Sequence, residues 1–255
     1  MKVKISIITP TLNNGKTIEK TLKSLCNQSF IYFEHIVIDG GSSDETITVV
    51  NKYRKFLNTK IFMQKNSGIY EAMNIGIKKA SGDVISILNG DDFYANKNVL
   101  MKVYEEFLKN PKAQILLTNV DIIKKKTGRL LRIYRSNYFK PYLFYLGIMP
   151  PHPGVFIKKI VYIKHGLFNT KFSSAGDFEF LLRVLLIKKI PFIKLNLVTV
   201  IMLAGGQSNK GIKSFFNNTN EIKESLKINN LFSSYFLILL RAPLKLIQIF
   251  LAKLL

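Results

Sequence analysis

The 255-residue chain is poor in cysteine, in acidic residues and in unbroken apolar runs. Its single cysteine, Cys26, excludes an internal disulfide framework and any zinc site built on several thiolates, and it fits a reducing compartment. Following Ile18, Leu22 and Leu25 on a helical stripe, Cys26 is expected in the core. Against 38 Lys and Arg stand only 16 Asp and Glu, a formal net charge of +22. Such an excess calls for anionic partners: nucleic acid, an anionic membrane face or phosphorylated substrates. No zinc-finger, RNP1-like or Gly-x-x-Gly pattern accompanies the lysines, so no nucleic acid partner is expected. Residues 1–11 are too short and too polar for a signal peptide, which predicts a cytoplasmic protein.

Residues 231–255 are mostly Leu, Ile and Phe, but Arg241, Pro243, Lys245 and Lys253 interrupt them. Cations flanking a proline at mid-span are costly in a bilayer. Arg241, Lys245, Gln248 and Ala252 recur at i, i+4, i+7 and i+11, a narrow polar face on an apolar helix over 244–255. That pattern predicts attachment in the plane of an anionic membrane surface, at the inner face of the plasma membrane; packing on the domain or at a dimer interface is the alternative.

The hydrophobic content, 47%, fills a sizeable core. At its centre stands residues 81–93, SGDVISILNGDDF. The apolar run 84–88 between Gly82 and Gly90 predicts a buried strand, and Asp91 and Asp92 follow at once. Two adjacent carboxylates there repel each other and lose hydration. A divalent cation, Mg²⁺ or Mn²⁺, held by carboxylate oxygens beside phosphate and water removes both costs. The alternative is a solvated turn in which Asp92 caps the next helix.

Upstream, strands at 3–9, 35–38 and 60–64 alternate with helices. Asn14 is expected to cap the first, and Ser42-x-x-Glu45 to form a capping box for the second. Ile69, Ala72, Met73, Gly76, Ile77 and Ala80 form a third helical stripe. Strands alternating with helices predict βαβ units, a mainly parallel sheet, and ligands at the carboxyl ends of the strands. Thr9, Pro10, Asp39, Asn66 and Asp91 then share one rim. Further on, Leu100 to Leu108 marks a helix, 114–118 a strand, and 121–134 two strands around a basic tip at Lys124 to Lys126, read as a solvated edge. Asp177 and Glu179 open a helix over 178–187, where negative charge also suits the helix dipole. A polar helix is expected near 211–229.

Taken together, ITPTLNN at 8–14, VIDGGSSDET at 37–46, SGIYEAMNIGI at 67–77, NGDD at 89–92, His152 before a GVF strand and GDFEFLLR at 176–183 resemble the inverting family-2 glycosyltransferases of the GT-A fold, of the bacterial surface-polysaccharide type. The resemblance runs from Val3 to about Ser208. It implies a GT-A domain over 1–210, with a nucleotide-sugar half (1–95) and an acceptor half (96–210), followed by a helical tail (211–255). It implies that Thr9, Pro10, Thr11 and Asp39 hold base and ribose, that Asn66 and Asn89 lie among the nucleotide-sugar contacts, that Asp91 binds the metal and that Asp177 is the catalytic base. His152 and Glu179 are candidates for positioning acceptor or phosphate. Asn89 stands where the family's Asp-x-Asp element has its first acid, and Asn66-Ser67 where related enzymes often carry Asp and Lys.

The implied activity is transfer of a sugar from a nucleoside diphosphate sugar, a UDP-sugar, to a lipid-linked saccharide with inversion. A nucleotidyltransferase would want a Gly-rich cationic loop near the amino terminus, of which TLNNGK is a poor version. A non-catalytic basic module binding RNA or lipid accounts for the charge but not for Asp39, Asp91 and Asp177 at element ends.

Overall fold

The computed structural model describes residues 3–64, 68–205 and 211–254. Asn66 and Ser67, and Ser208 where the resemblance ends, lie outside the described residues. The first half alternates β1 (Ile5–Thr11), α1 (Ile18–Cys26), β2 (Phe33–Asp39), α2 (Thr46–Leu57), β3 (Lys60–Met63), α3 (Ile69–Lys79) and β4 (Val84–Ile87). There follow β5 (Asp92–Tyr94), α4 (Val99–Lys109), β6 (Ile115–Ile123), β7 (Leu130–Tyr134), β8 (Val155–Lys158), α5 (Lys159–His165), α6 (Gly176–Leu182) and β9 (Phe192–Leu203). The chain closes with α7 (Gly211–Ile228), α8 (Tyr235–Leu239) and α9 (Arg241–Leu254).

One mixed sheet runs β3-β2-β1-β4-β8-β6-β9-β5, with β7 paired to β6. The β3-β2-β1-β4 half is parallel throughout, and β6 and β9 also pair in parallel. β1 and β4 are buried at every position because helices cover both faces, which is why they are nearly continuous runs of Ile and Val. Their pleat divides the core. Ile8, Ile36, Ile85 and Ile87 pack with α3 and α6, while Ile7, Val37, Val84 and Leu88 pack with α1 and α4. At Gly76 the backbone of α3 lies so close to β1 that a Cβ would come within 2.3 Å of the Ile8 side chain.

Several local expectations change. Cys26 is exposed, because the buried face of α1 is Ile18, Thr21, Leu22 and Leu25. Asn14 does not cap α1 with its side chain, which bonds Thr11 and the Leu12 N–H instead. Ser42 bonds Asp39, and it is Asp44 that accepts from the first N–H of α2, at Thr46. Asp92 caps no helix; it opens the short strand β5, whose partner is β9. The helix expected over 178–187 is α6 continued by a π turn at Arg183–Ile187.

The polar face of α9 also differs from expectation. Except for Lys245, which is exposed, it turns inward onto β7, where the Arg132 Nε donates to Gln248 Oε1 at 2.6 Å and Ala252 is buried. Arg241 donates to Asn218 Oδ1 and Thr219 Oγ1 on α7, both at 2.8 Å. Hydrogen bonds from charged donors contribute more than neutral ones, so the bonds of Arg132 and Arg241 seat the helix. The apolar residues Leu246, Ile247, Phe250, Leu251 and Leu254 are left exposed. Tyr235–Leu254 has the length and composition to cross a membrane, but the seat on β7 holds its polar side against protein.

Beneath the rim lies a buried histidine. His35 shares hydrogen bonds with Thr9 Oγ1 (3.0 Å) and Thr59 Oγ1 (2.9 Å), and burial pushes its pKa down from 6.5 to about 3. Below pH 6.5 the unfolded chain takes up a proton that the folded chain refuses, so stability falls as pH drops toward 3. Glu34 adds to this only below pH 4.5: burial opposes its ionisation, but bonds from Ser6, Ser81 and Lys60 outweigh that and bring it to about 2. Between pH 6.5 and 4.5 the native protein should therefore lose roughly 2–3 kcal/mol more than His35→Gln, measured by urea unfolding at each pH. Equal slopes for the two proteins would remove His35 as the cause.

Candidate active site

The carboxyl ends of β1, β2 and β4 meet in one place. The Gly40 N–H donates to Thr11 O, the Gly90 N–H to Pro10 O, and Thr17 Oγ1 to Gly90 O. Gly90 fits because a Cβ there would stand 2.8 Å from Thr11 Oγ1. Thr9 faces inward to His35, so its side chain supports the rim from below, and Thr11 is held by Asn14 at 3.0 Å. Asp39 accepts from the Gly41 and Ser42 N–H groups and the Ser42 hydroxyl at 3.0, 2.9 and 2.6 Å. These three bonds fix the carboxylate and leave about one of its four acceptor positions for a ligand.

Asn89, Asp91 and Asp92 form the next part of the rim. Asp92 is buried and accepts from Asn89 Nδ2 at 2.9 Å, which leaves Asn89 Oδ1 as the free end of the amide. That oxygen is buried and has no hydrogen-bond partner. Burial raises the pKa of Asp91, with Lys125 pulling it the other way. Burial also raises Asp92 well above the usual carboxylate range, and the neighbouring Asp91 charge adds to this. Desolvated hard oxygens, of which Asn89 Oδ1 has no donor, suit a divalent cation, and Asp91 with Asn89 Oδ1 could hold one alongside phosphate oxygens and water. Among the described residues no cluster of three or more His, Cys, Asp or Glu competes with this place for a metal.

Asp177, half-buried at the start of α6, receives a hydrogen bond from the Tyr70 hydroxyl at 2.9 Å; its own helix supplies a second, from the Phe178 N–H, also at 2.9 Å. Both end on Oδ1. Tyr70 reaches Asp177 because Gly176 has no side chain: a Cβ would lie 2.8 Å from the tyrosine ring. Burial and the Asp177 charge hold the Tyr70 phenol well above its ordinary pKa, so it stays a donor. His152 is buried edge-on to Phe168 at 5.5 Å; burial lowers its pKa while the Asp177 charge acts to raise it. Glu179 points elsewhere, into a buried pair with Arg183 at 2.8 Å, and Arg183 also holds the carbonyls of His165 and Leu167.

Tyr70 and Lys125 were not singled out from sequence. Tyr70 lies within SGIYEAMNIGI, whose other polar member, Asn74, exchanges two bonds with the Phe168 backbone at 2.9 and 3.0 Å. Lys125 belongs to the basic hairpin tip read as a solvated edge; its charge reaches Asp91.

The model of Glycosyl transferase family 2 matches residues 6–165. The chain belongs to glycosyl transferase family 2. A "PGL/p-HBAD biosynthesis glycosyltransferase" of Mycobacterium bovis is 28% identical over 180 residues, 70% of this chain and 68% of the relative. A relative from Methanococcus voltae, named as a dolichyl N-acetyl-alpha-D-glucosaminyl phosphate 3-beta-D-2,3-diacetamido-2,3-dideoxy-beta-D-glucuronosyltransferase, is 31% identical over 197 residues, covering 71% of this chain and 61% of the relative. Among solved structures, Staphylococcus aureus TarS 1–349 with UDP-GlcNAc aligns with a TM-score of 0.68 at 21% identity, over 88% of this chain and 66% of that one. A Pyrobaculum calidifontis mannosyltransferase with GDP-Man and Mn²⁺ gives 0.67 at 16% identity, over 90% and 64%. These likenesses show that this family-2 chain has the GT-A fold. The family match ends before Asp177, yet Tyr70, inside it, hydrogen-bonds that carboxylate.

Proposed function

We propose that the chain transfers a sugar from a UDP-sugar to a saccharide carried on a lipid phosphate, with inversion, in cell-surface polysaccharide synthesis at the cytoplasmic face of the membrane. The observation that carries this reading is a desolvated oxygen site at Asn89 and Asp91 on the same rim as Asp39, together with a carboxylate, Asp177, held by Tyr70. Asp39 offers its remaining acceptor position to a ring N–H of the donor base, which uracil presents. Asp91 and Asn89 would hold the metal, which when bound would supply charge stabilisation to the departing diphosphate. Lys125 adds positive charge on that side.

Asp177 takes the proton of the acceptor hydroxyl as its oxygen attacks the anomeric carbon. The bond from that carbon to the diphosphate breaks, its electrons leave with the nucleoside diphosphate, and one displacement inverts the centre. Tyr70 keeps Oδ1 oriented, and among the described residues Oδ2 takes no hydrogen bond, which leaves it for the substrate. The domain division at residue 210, the membrane attachment through the exposed face of α9 and the lipid-linked acceptor belong to the same proposal; the acceptor named for the Methanococcus relative and the apolar residues 246–254 support it.

The test is incubation with a panel of nucleotide sugars and Mn²⁺, followed by measurement of nucleoside diphosphate release. Release of UDP above GDP and CDP is the expected result. Release of a sugar 1-phosphate would favour a nucleotidyltransferase, and release of nothing across the panel would end the enzymatic reading.

A further inference from the structure

The seat of α9 gathers positive charge that has no carboxylate to answer it. The Arg132 guanidinium lies 4.5 Å over the Tyr134 ring, with its Nε on Gln248. Arg241 lies 5.0 Å over Phe215, with both terminal nitrogens on α7 and its Nε buried without any partner. Lys245, whose side chain is exposed, follows Arg241 by one helical turn, and partial desolvation together with the Arg132 and Arg241 charges lowers its pKa. Among the described residues none of the three joins an ion pair. Like charges one turn apart repel, and the Arg241 Nε is buried without a partner, so the fold bears a cost that a bound anion relieves.

The position of the cluster narrows what that anion is. Asn218, which accepts from Arg241, donates its Nδ2 to Ser174 O at 3.0 Å, three residues before Asp177, and Arg132 lies over the half-buried Tyr134 ring, whose phenol the Asp177 charge also reaches. The nucleotide rim lies at the ends of β1, β2 and β4, whereas this cluster lies between β7 and α9. The other face of α9 is the exposed apolar surface of Leu246, Ile247 and Phe250. An anion here therefore has a carboxylate on one side and a path for an alkyl chain on the other. Two guanidiniums and an ammonium suit the tetrahedral, multiply charged oxygens of phosphate.

We propose that Arg132, Arg241 and Lys245 form the subsite for the phosphate that links lipid to saccharide in the acceptor, set so that the sugar hydroxyl reaches Asp177. This deepens the reading above and rests on it for the identity of the acceptor. The subsite holds the acceptor by its phosphate and leaves the saccharide to the surface around Asp177.

Decyl phosphate, inorganic phosphate and vesicles of phosphatidylcholine with phosphatidylglycerol separate the sources of such an anion. Calorimetric titration of the full chain should show decyl phosphate binding that weakens about tenfold in Arg132→Gln and in Lys245→Gln, with UDP affinity unchanged. Weaker binding of inorganic phosphate than of decyl phosphate is expected, since only the latter has a chain to follow α9. Arg241→Gln also frees α7 and is judged only if its melting temperature is preserved; the other two variants decide the matter. Decyl phosphate affinity that survives both substitutions overturns the subsite. So does a parallel loss of UDP affinity, which would give the cluster to the donor, or a loss confined to vesicle binding, which would make it a headgroup contact. A chain that binds decyl phosphate through these residues but releases no nucleoside diphosphate from any sugar donor would keep the subsite and sink the transferase reading.

Discussion

Asp177→Asn is expected to lower turnover by about two to four orders of magnitude while donor affinity stays nearly unchanged, the pattern for loss of a positioned general base. The amide can still accept from Tyr70, so Tyr70 and the start of α6 keep their places, and what disappears is the capacity to take a proton. Steady-state UDP release gives the turnover, and calorimetric titration of UDP gives the affinity. Glu179→Gln is the control. Glu179 is committed to Arg183, and Arg183 to the backbone at His165 and Leu167, so that substitution should register in melting temperature. An inactive but fully stable Glu179→Gln beside an active Asp177→Asn would shift the base by two residues.

Asp91→Asn should have an effect of similar size on activity and the opposite sign on the free protein. The native pair Asp91-Asp92 is desolvated and mutually repulsive, and Asn89 Oδ1 adds a buried oxygen without a donor. Removing one carboxylate relieves that repulsion, so the ligand-free variant should melt no lower than the native chain. The stabilisation that UDP with Mn²⁺ confers in a thermal-shift assay should vanish, and turnover should fall by at least about two orders of magnitude. A variant that retains metal-dependent stabilisation by UDP would take Asp91 out of the metal site. A site that is costly when empty and favourable when filled is a common compromise between stability and function.

The strands of the parallel half were legible because burial on both faces leaves an unmistakable apolar run, and the rim followed from the rule that ligands meet strand ends. The partner strand of β5 was not legible: β9 lies about a hundred residues away, and its alternation is too weak to stand out from the surrounding lysines. Tyr70 was hidden for a different reason. It shares the helical stripe of Ala72, Met73 and Ile77, and period alone cannot separate a core tyrosine from one whose hydroxyl reaches a carboxylate 107 residues further on. Lys125 looked like any exposed hairpin tip until the sheet brought it toward Asp91. The polar stripe of α9 was found correctly, but a stripe does not say which way it faces; Arg132, on a separate strand, decides that.

Helix α3 touches three parts of the molecule in a fixed order. Tyr70 in its first turn meets Asp177, Asn74 one turn later holds the loop at Phe168, and Gly76 rests on Ile8 two residues before Pro10. Its 11 residues rise about 16 Å in total, and no joint interrupts them. It thus acts as a gauge block between the end of β1 and Asp177: the gap from that rim to the carboxylate is set by a rigid rod and not by the loops around it. On the proposed function, those loops could be exchanged for others that admit a different saccharide while the distance across which the sugar must travel stays the same.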